Sequence, residues 1–448
     1  MDTPIADFVR SYAASGTARL HMPGHKGRPF LGCEPLDITE IAGADALYEA
    51  SGIIAESQRN AAALFGSGRT LYSTEGSSQC IRAMLYLALT DRPAGTSNVV
   101  VAARNVHKVF VYAAALLDLA VVWLWPEGGS ASICGCPVSA ETLEKTLETL
   151  SAPPAAVYVT SPDYLGGMTD LAALADVCRR YGTVLAVDNA HGAYLHFRRQ
   201  PLHPLDLGAD ICCDSAHKTL PVLTGGAYLQ IGKNAPEGFR EHAKAAMALF
   251  GSTSPSYLTL ASLDLCNRYL AEGYRERLSR ISVELNRLRK RLSDSGWKVL
   301  ATDPLRLTIA ASAGSTGIAL AERLRRGGVE CEYADREFLV LMATPENSPE
   351  DLERIAMVLG ENHERHAPLV PLPLAAGEQV LSIRQALFAP HETVPAEEAL
   401  GRVCGAPTVS CPPAVPIAVS GERIGREAVE LFRRYGVEQV DVVRESRQ

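Results

Sequence analysis

Lys218 lies in the segment Ser215-Ala-His-Lys-Thr-Leu220, followed by Thr224-Gly-Gly226. A lysine beside Ser and His, bordered by glycines that permit close approach, is suited to forming a Schiff base. Surroundings that disfavour its ammonium form leave a free amine that can attack an aldehyde. Thirty residues earlier stands Asp188, in Val187-Asp-Asn-Ala-His-Gly192, at the end of an apolar run. A carboxylate so placed is costly to desolvate unless a positive group compensates it. A protonated pyridine nitrogen would be such a partner, and at about 4 Å with an effective dielectric of about 20 the attraction is about 4 kcal/mol. An aromatic ring held in that state is an electron sink. A lone lysine proves nothing and a lone aspartate has the reading of a helix cap, but the two on successive strand ends form a specific combination.

Two further segments could complete such a site. Glu75-Gly-Ser-Ser78 precedes a helical pattern, and Gly76, Ser77 and Ser78 at a helix N-terminus would offer free N–H groups and hydroxyls to a phosphate. A plain Ser N-cap is the alternative. Arg104-Asn-Val-His-Lys108 follows a β-rich run. His107 there could stack on an aromatic cofactor or be an ordinary loop histidine. Near the start, His21-Met-Pro-Gly-His-Lys-Gly27 packs two histidines, two glycines and a proline into seven residues. That composition marks an irregular loop, either functional or a simple turn.

The elements that must position these groups alternate in type. Helical patterns over 57–65, 79–89 and 171–181 interleave with β-rich runs at 99–103, 121–125, 156–160, 184–187, 210–213 and 227–231. Near-continuous apolar strands separated by helices predict an α/β fold with a mostly parallel sheet covered on both faces. The reactive residues fall just beyond strand ends, where ligands bind in open α/β sheets. Residues 1–50 read as an arm with little periodicity, and 51–256 as the large domain. Residues 257–366 read as a smaller α/β domain that begins with one long helical region over 257–294. A proline-rich linker then leads into a C-terminal domain, 367–448, with a turn-rich stretch at 411–416.

Bulk properties exclude several classes. The chain has 448 residues, 47% hydrophobic and 21% charged, which is globular composition. A net charge of −8 with dispersed basic residues argues against a nucleic-acid binder. The eleven cysteines include no CxxC pair and are scattered through apolar stretches, so they read as reduced cytosolic thiols, with no closed metal-ligand set. No signal peptide is apparent, and the most apolar segment, 109–125, is broken by Asp118 and reads as a buried helix running into a strand. A cytoplasmic protein without membrane contact is expected.

Taken together, the motifs resemble those of the ornithine/lysine/arginine decarboxylases that use pyridoxal 5′-phosphate (PLP), in their short bacterial form and with the aspartate-aminotransferase fold. The resemblance is carried by His21-Met-Pro-Gly-His-Lys-Gly27, Asp37-Ile-Thr-Glu-Ile-Ala-Gly-Ala-Asp45, Gly52-Ile-Ile-Ala-Glu56 and Arg104-Asn-Val-His-Lys108. It continues through Val159-Thr-Ser-Pro162, Asp188-Asn-Ala-His-Gly192, Ser215-Ala-His-Lys218 and Ser252-Thr-Ser-Pro-Ser-Tyr257, and extends to Pro412-Pro-Ala-Val-Pro416 and Ser420-Gly-Glu422.

The resemblance implies a fold-type I PLP enzyme with large, small and C-terminal domains. It implies that Lys218 carries the cofactor as a Schiff base, that Asp188 pairs with the ring nitrogen and that His107 stacks on the ring. His191 would lie on the Asp188 side. Gly76, Ser77, Ser78, Ser215 and His217 would bind the phosphate, with Thr253 or Ser254 arriving from a second subunit, so at least a homodimer is expected. Glu332 and His25 would face the substrate, a basic amino acid. Arginine, giving agmatine for polyamine biosynthesis, is the first expectation, lysine the second and ornithine the third. A fold-related aminotransferase or sulfur lyase is the alternative of different class. No fused DNA-binding module and no wing domain are recognised, so neither a regulator nor a decameric assembly is expected. Asn189 stands where many relatives have Glu, Glu75-Gly-Ser-Ser replaces a commoner Asn-Gly-Thr/Ser form, and Cys411 replaces a frequent Tyr; these departures bear on substrate choice and subunit contacts.

Overall fold

The computed structural model describes residues 1–92, 94–366, 368–408 and 414–445. Seven strands form the main sheet: β1 (Arg69–Ser73), β2 (Val99–Ala103), β3 (Ala120–Leu124), β4 (Ala156–Thr160), β5 (Val184–Asp188), β6 (Ile211–Asp214) and β7 (Ala227–Ile231). Their order is β1-β7-β6-β5-β4-β2-β3. β5 runs parallel to β6 and β2 parallel to β3, whereas β7 is antiparallel to both β1 and β6. Every residue of β4, β5, β6 and β7 is buried, as expected of strands covered on both faces.

The chain divides into two compact units. The first comprises Met1–Thr96, Ala155–Val157 and Leu171–Arg277. It contains β1, β5, β6 and β7 with three early helices, α1 (Pro4–Ala14), α2 (Ile53–Phe65) and α3 (Ser77–Thr90). α1 falls in the segment expected to be an irregular arm. It has a proline in its first turn and buries only Ile5, Ala6 and Val9. Its N-terminal amides are satisfied from far away in sequence: Ile5 and Ala6 donate to Oδ2 of Asp264 at 2.9 and 3.0 Å. A remote carboxylate thus supplies the cap that the local sequence lacks.

The second unit comprises Ser97–Pro154, Tyr158–Asp170 and Leu278–Gln448. It contains β2, β3 and helix α4 (Lys108–Leu116). A four-stranded antiparallel sheet follows, ordered β10-β11-β9-β8, from β8 (Lys298–Val299), β9 (Arg306–Ala310), β10 (Tyr333–Ala334) and β11 (Phe338–Met342). Near the C-terminus β12 (His391–Pro395) pairs antiparallel with β13 (Gln439–Val443). The long helical region expected over 257–294 is two helices, Tyr257–Ala271 and Tyr274–Asp294, interrupted at Glu272-Gly273. Among the described residues no helix is long and apolar enough to cross a membrane.

Candidate active site

β5 and β6 end side by side, with Asp188 in register with Cys213. Everything that leaves their C-terminal ends is therefore brought to one place. From β5 come Asp188, Asn189 and His191; from β6 come Asp214, Ser215 and the short helix Ala216–Thr219, which carries Lys218. Nζ of Lys218 lies 3.0 Å from Nε2 of His191. Lys218 is half-buried and His191 buried.

Asp188 is buried, and its Oδ1 accepts from the Ala190 amide at 3.1 Å and from the Cys213 thiol at 3.6 Å. Sequence reasoning misses Cys213, because a thiol donor within a short buried strand carries no motif. Asn189 turns inward as well, donating from Nδ2 to Oδ1 of Asp214 at 2.5 Å. In this fold a Glu at 189 would set a second carboxylate against buried Asp214.

α3 begins at the edge of the same site. Its N-cap, Gly76, has φ of 72°, a conformation that glycine adopts without a Cβ penalty, and it offers no side chain to cap the helix. The Ser77 and Ser78 amides open the first turn, where N–H groups have no intrahelical acceptor. Ser77 Oγ lies 2.9 Å from Ser215 Oγ, and the Gly76 amide donates to Gly225 O at 2.7 Å. His217 donates from Nδ1 to Gly226 O at 3.0 Å, and burial lowers its pKa below the ordinary histidine value. Two hydroxyls and a helix start without a side-chain cap make a cradle for an anion.

The remaining expected residues lie apart from these contacts. Thr253 and Ser254 are exposed in the loop before helix Tyr257–Ala271, and the Ser252 amide donates to Glu75 beside Gly76. His25 stays within the N-terminal arm, 3.2 Å from Asp37 Oδ2, with its Nδ1 accepting from the Gly27 amide. Cys411 and the first prolines of 412–416 lie outside the described residues.

His107 and Glu332 belong to the second unit. His107 caps α4, its Nδ1 accepting from the Val109 amide at 3.2 Å, so in the neutral ring Nε2 carries the proton. Just before it, at the end of β2, Arg104 is fully buried. Its guanidinium makes a bidentate pair with Glu422 at 2.8 and 2.7 Å and lies 4.7 Å from the ring centres of Trp123 and Trp125. Glu332 is exposed and accepts from the Tyr164 hydroxyl. Burial first, and then Glu332 itself, pushes the Tyr164 phenol above its ordinary pKa, so it remains a donor.

Residues 3–311 match the family described as Orn/Lys/Arg decarboxylase, major domain. The chain is 31% identical to the uncharacterized protein YaaO of Bacillus subtilis, over 97% of this chain and 94% of that one. It is 29% identical to the arginine decarboxylase of the same organism, over 96% of this chain and 93% of the relative. Among solved structures, the lysine decarboxylase LdcF of Francisella novicida superposes with a TM-score of 0.79 at 16% identity, covering 99% of this chain and 81% of that one.

Proposed function

We propose, on the premise that this chain belongs to the Orn/Lys/Arg decarboxylase family, that it is a cytoplasmic PLP enzyme converting arginine to agmatine and CO₂. The observation that carries the reading is the convergence of Lys218, His191 and Asp188 at the ends of two adjacent parallel strands. The choice of arginine is supported by the Bacillus relatives named arginine decarboxylase, which align over nearly their whole length. Lysine and ornithine are the competitors.

The residues present fit PLP. Lys218 offers an amine, Asp188 a buried carboxylate for the ring nitrogen, and the α3 start with Ser77, Ser78 and Ser215 an anion cradle. When bound, the cofactor supplies the sink for the electrons released as CO₂ departs. The protein does the rest. Lys218 Nζ would hold the cofactor's aldehyde, and His191, 3.0 Å away, would take the proton that the ammonium must shed. Asp188 would keep the ring nitrogen protonated, its carboxylate held in place by the Ala190 amide and the Cys213 thiol. His107 would cover the ring face, the role that the family resemblance assigns to it. Once the substrate's own amino group had displaced it, Lys218 could regain its proton from His191 and would be the group that returns a proton to Cα after CO₂ leaves. Glu332, steadied by Tyr164, meets the distal cation of the substrate.

The active unit is at least a homodimer, in which Thr253 or Ser254 of the partner subunit completes the phosphate cradle. Assaying amine and CO₂ release from arginine, lysine and ornithine tests the reading. Agmatine formation at the highest kcat/KM is expected; no product from any of the three would overturn it.

A further inference from the structure

Asp214 is fully buried, and three side chains donate to it. Asn189 Nδ2 reaches Oδ1 at 2.5 Å, Gln230 Nε2 reaches Oδ2 at 3.3 Å, and His203 Nε2 lies 3.2 and 3.1 Å from the two oxygens. The orientation of each donor is determined. His203 Nδ1 accepts from the Leu205 amide, so in the neutral ring the proton is on Nε2, facing Asp214. Gln230 Oε1 accepts from Thr70, which turns its amide nitrogen toward the carboxylate. Asn189 must present nitrogen, because its carbonyl would otherwise meet a carboxylate. His203, Cys212 and Asp214 are close enough together to suit a cation. However, a protonated Nε2 aimed at Asp214 occupies the position that a metal ligand would need.

The location gives this network its importance. Asn189 directly follows Asp188 and precedes His191 by two positions, whereas Asp214 directly precedes Ser215 and lies four positions before Lys218. The bond between them joins the end of β5, which holds Asp188, to the end of β6, which leads into the helix that carries Lys218. A backbone bond from Asn189 N to Cys213 O at 3.0 Å ties the same two strand ends. The turn is built around the amide: a Cβ on Gly192 would overlap Asn189 Oδ1.

We propose that Asn189 and Asp214 form a positioning pair that sets the separation of Asp188 and Lys218. The proposal relies on the functional reading above only for the roles of Asp188 and Lys218. Neither residue of the pair touches substrate; each acts through its neighbour.

Asn189→Asp places two carboxylates in contact without changing size. Adding Asp214→Asn restores one amide and one carboxylate: the amide introduced on β6 can donate to the carboxylate introduced on β5, while its oxygen accepts from His203 and Gln230. The full-length protein is titrated with PLP by visible absorbance and melted thermally. Asn189→Asp is expected to weaken PLP binding at least tenfold, and the double variant to bring affinity to within about threefold of wild type. With arginine, kcat is expected to fall in the single variant and recover in the double one, while KM changes little. If Asn189→Asp does not fold, Asn189→Ala is used in its place, with an expected fivefold or greater loss of PLP affinity at an unchanged melting temperature. Wild-type affinity in the single variant, or a double variant no better than the single, overturns the pair. Wild-type protein that binds PLP but leaves arginine untouched would count against the functional reading alone, because the affinity comparison still reports on the pair.

Discussion

Nζ of Lys218 and Nε2 of His191 are 3.0 Å apart, although the two residues leave different strands and are separated by 27 positions. An imidazole at that distance can accept the proton that an ammonium must lose before its nitrogen can react. Replacing Lys218 with Ala removes the amine and leaves the rest of the pocket standing. The wild-type protein with PLP should absorb in the visible, and borohydride should fix the cofactor on the peptide containing Lys218. Lys218→Ala should show neither property. Labelling of a different lysine would reassign the site.

Asp188→Asn should still bind PLP yet lose about a hundredfold in kcat, equivalent to about 2.7 kcal/mol of barrier. The carboxamide fills the same space and can accept from the Ala190 amide, but it cannot hold a ring nitrogen protonated. Turnover within fivefold of wild type would remove Asp188 from the electron-sink role.

Glu332 is exposed and bonded to Tyr164, so its carboxylate is steadied without being buried. A carboxylate meets a guanidinium through two parallel hydrogen bonds, and an amide cannot reproduce them. Glu332→Gln should therefore raise KM for arginine about tenfold, about 1.4 kcal/mol, with the cofactor absorbance unchanged. Identical kinetics would assign Glu332 to the surface and direct attention to Asp45, Glu49 and Asp163.

Thr253 and Ser254 are exposed beside a loop anchored to Glu75. If they serve a neighbouring subunit, inactive Lys218→Ala protein and an inactive Thr253→Ala/Ser254→Ala variant should complement each other. Random exchange would place one intact site in about half of the dimers. Activity well above that of either parent is expected after exchange has been verified by mass-tagged subunits. No gain after verified exchange would make each site self-contained.

Asp264 bears on stability. It is buried, accepting from Ser57, Ile5 and Ala6, and burial raises its pKa from the ordinary aspartate value to about 6. An acid raised in the folded state contributes its full stability below the unfolded value near 4, and that contribution is lost as pH rises through about 6. Between pH 5 and pH 8 the loss is about 1 kcal/mol. Denaturant titrations at the two pH values should show the fall in stability reduced by about that amount in Asp264→Asn. An equal fall in both proteins would mean that Asp264 is already ionised at pH 5.

Some of this was legible in the sequence because burial leaves a periodic trace. β4 and β5 are covered on both faces and appear as apolar runs up to their last residue. Asp188 and Lys218 were legible because their chemistry is out of place at the ends of such runs. The illegible features depend on partners that only the fold brings together. α1 reads as an arm because its cap, Asp264, is supplied from 259 positions away. Asn189 reads as a mere departure until Asp214 stands opposite it. The interruption at Glu272-Gly273 disappears in a helical pattern that continues on both sides.

The pairing of Arg104 with Glu422 has a consequence for biogenesis. The two residues are 318 positions apart, so at about 5–20 residues per second the guanidinium emerges some tens of seconds before its carboxylate exists. Until then a cation destined for a fully buried position has no counter-ion, and removing one partner of such a pair typically costs about 3–5 kcal/mol. The end of β2 can therefore settle only late in translation. Ribosome-bound chains that stop short of Glu422 should remain protease-sensitive around Arg104, and chains a few dozen residues longer should not.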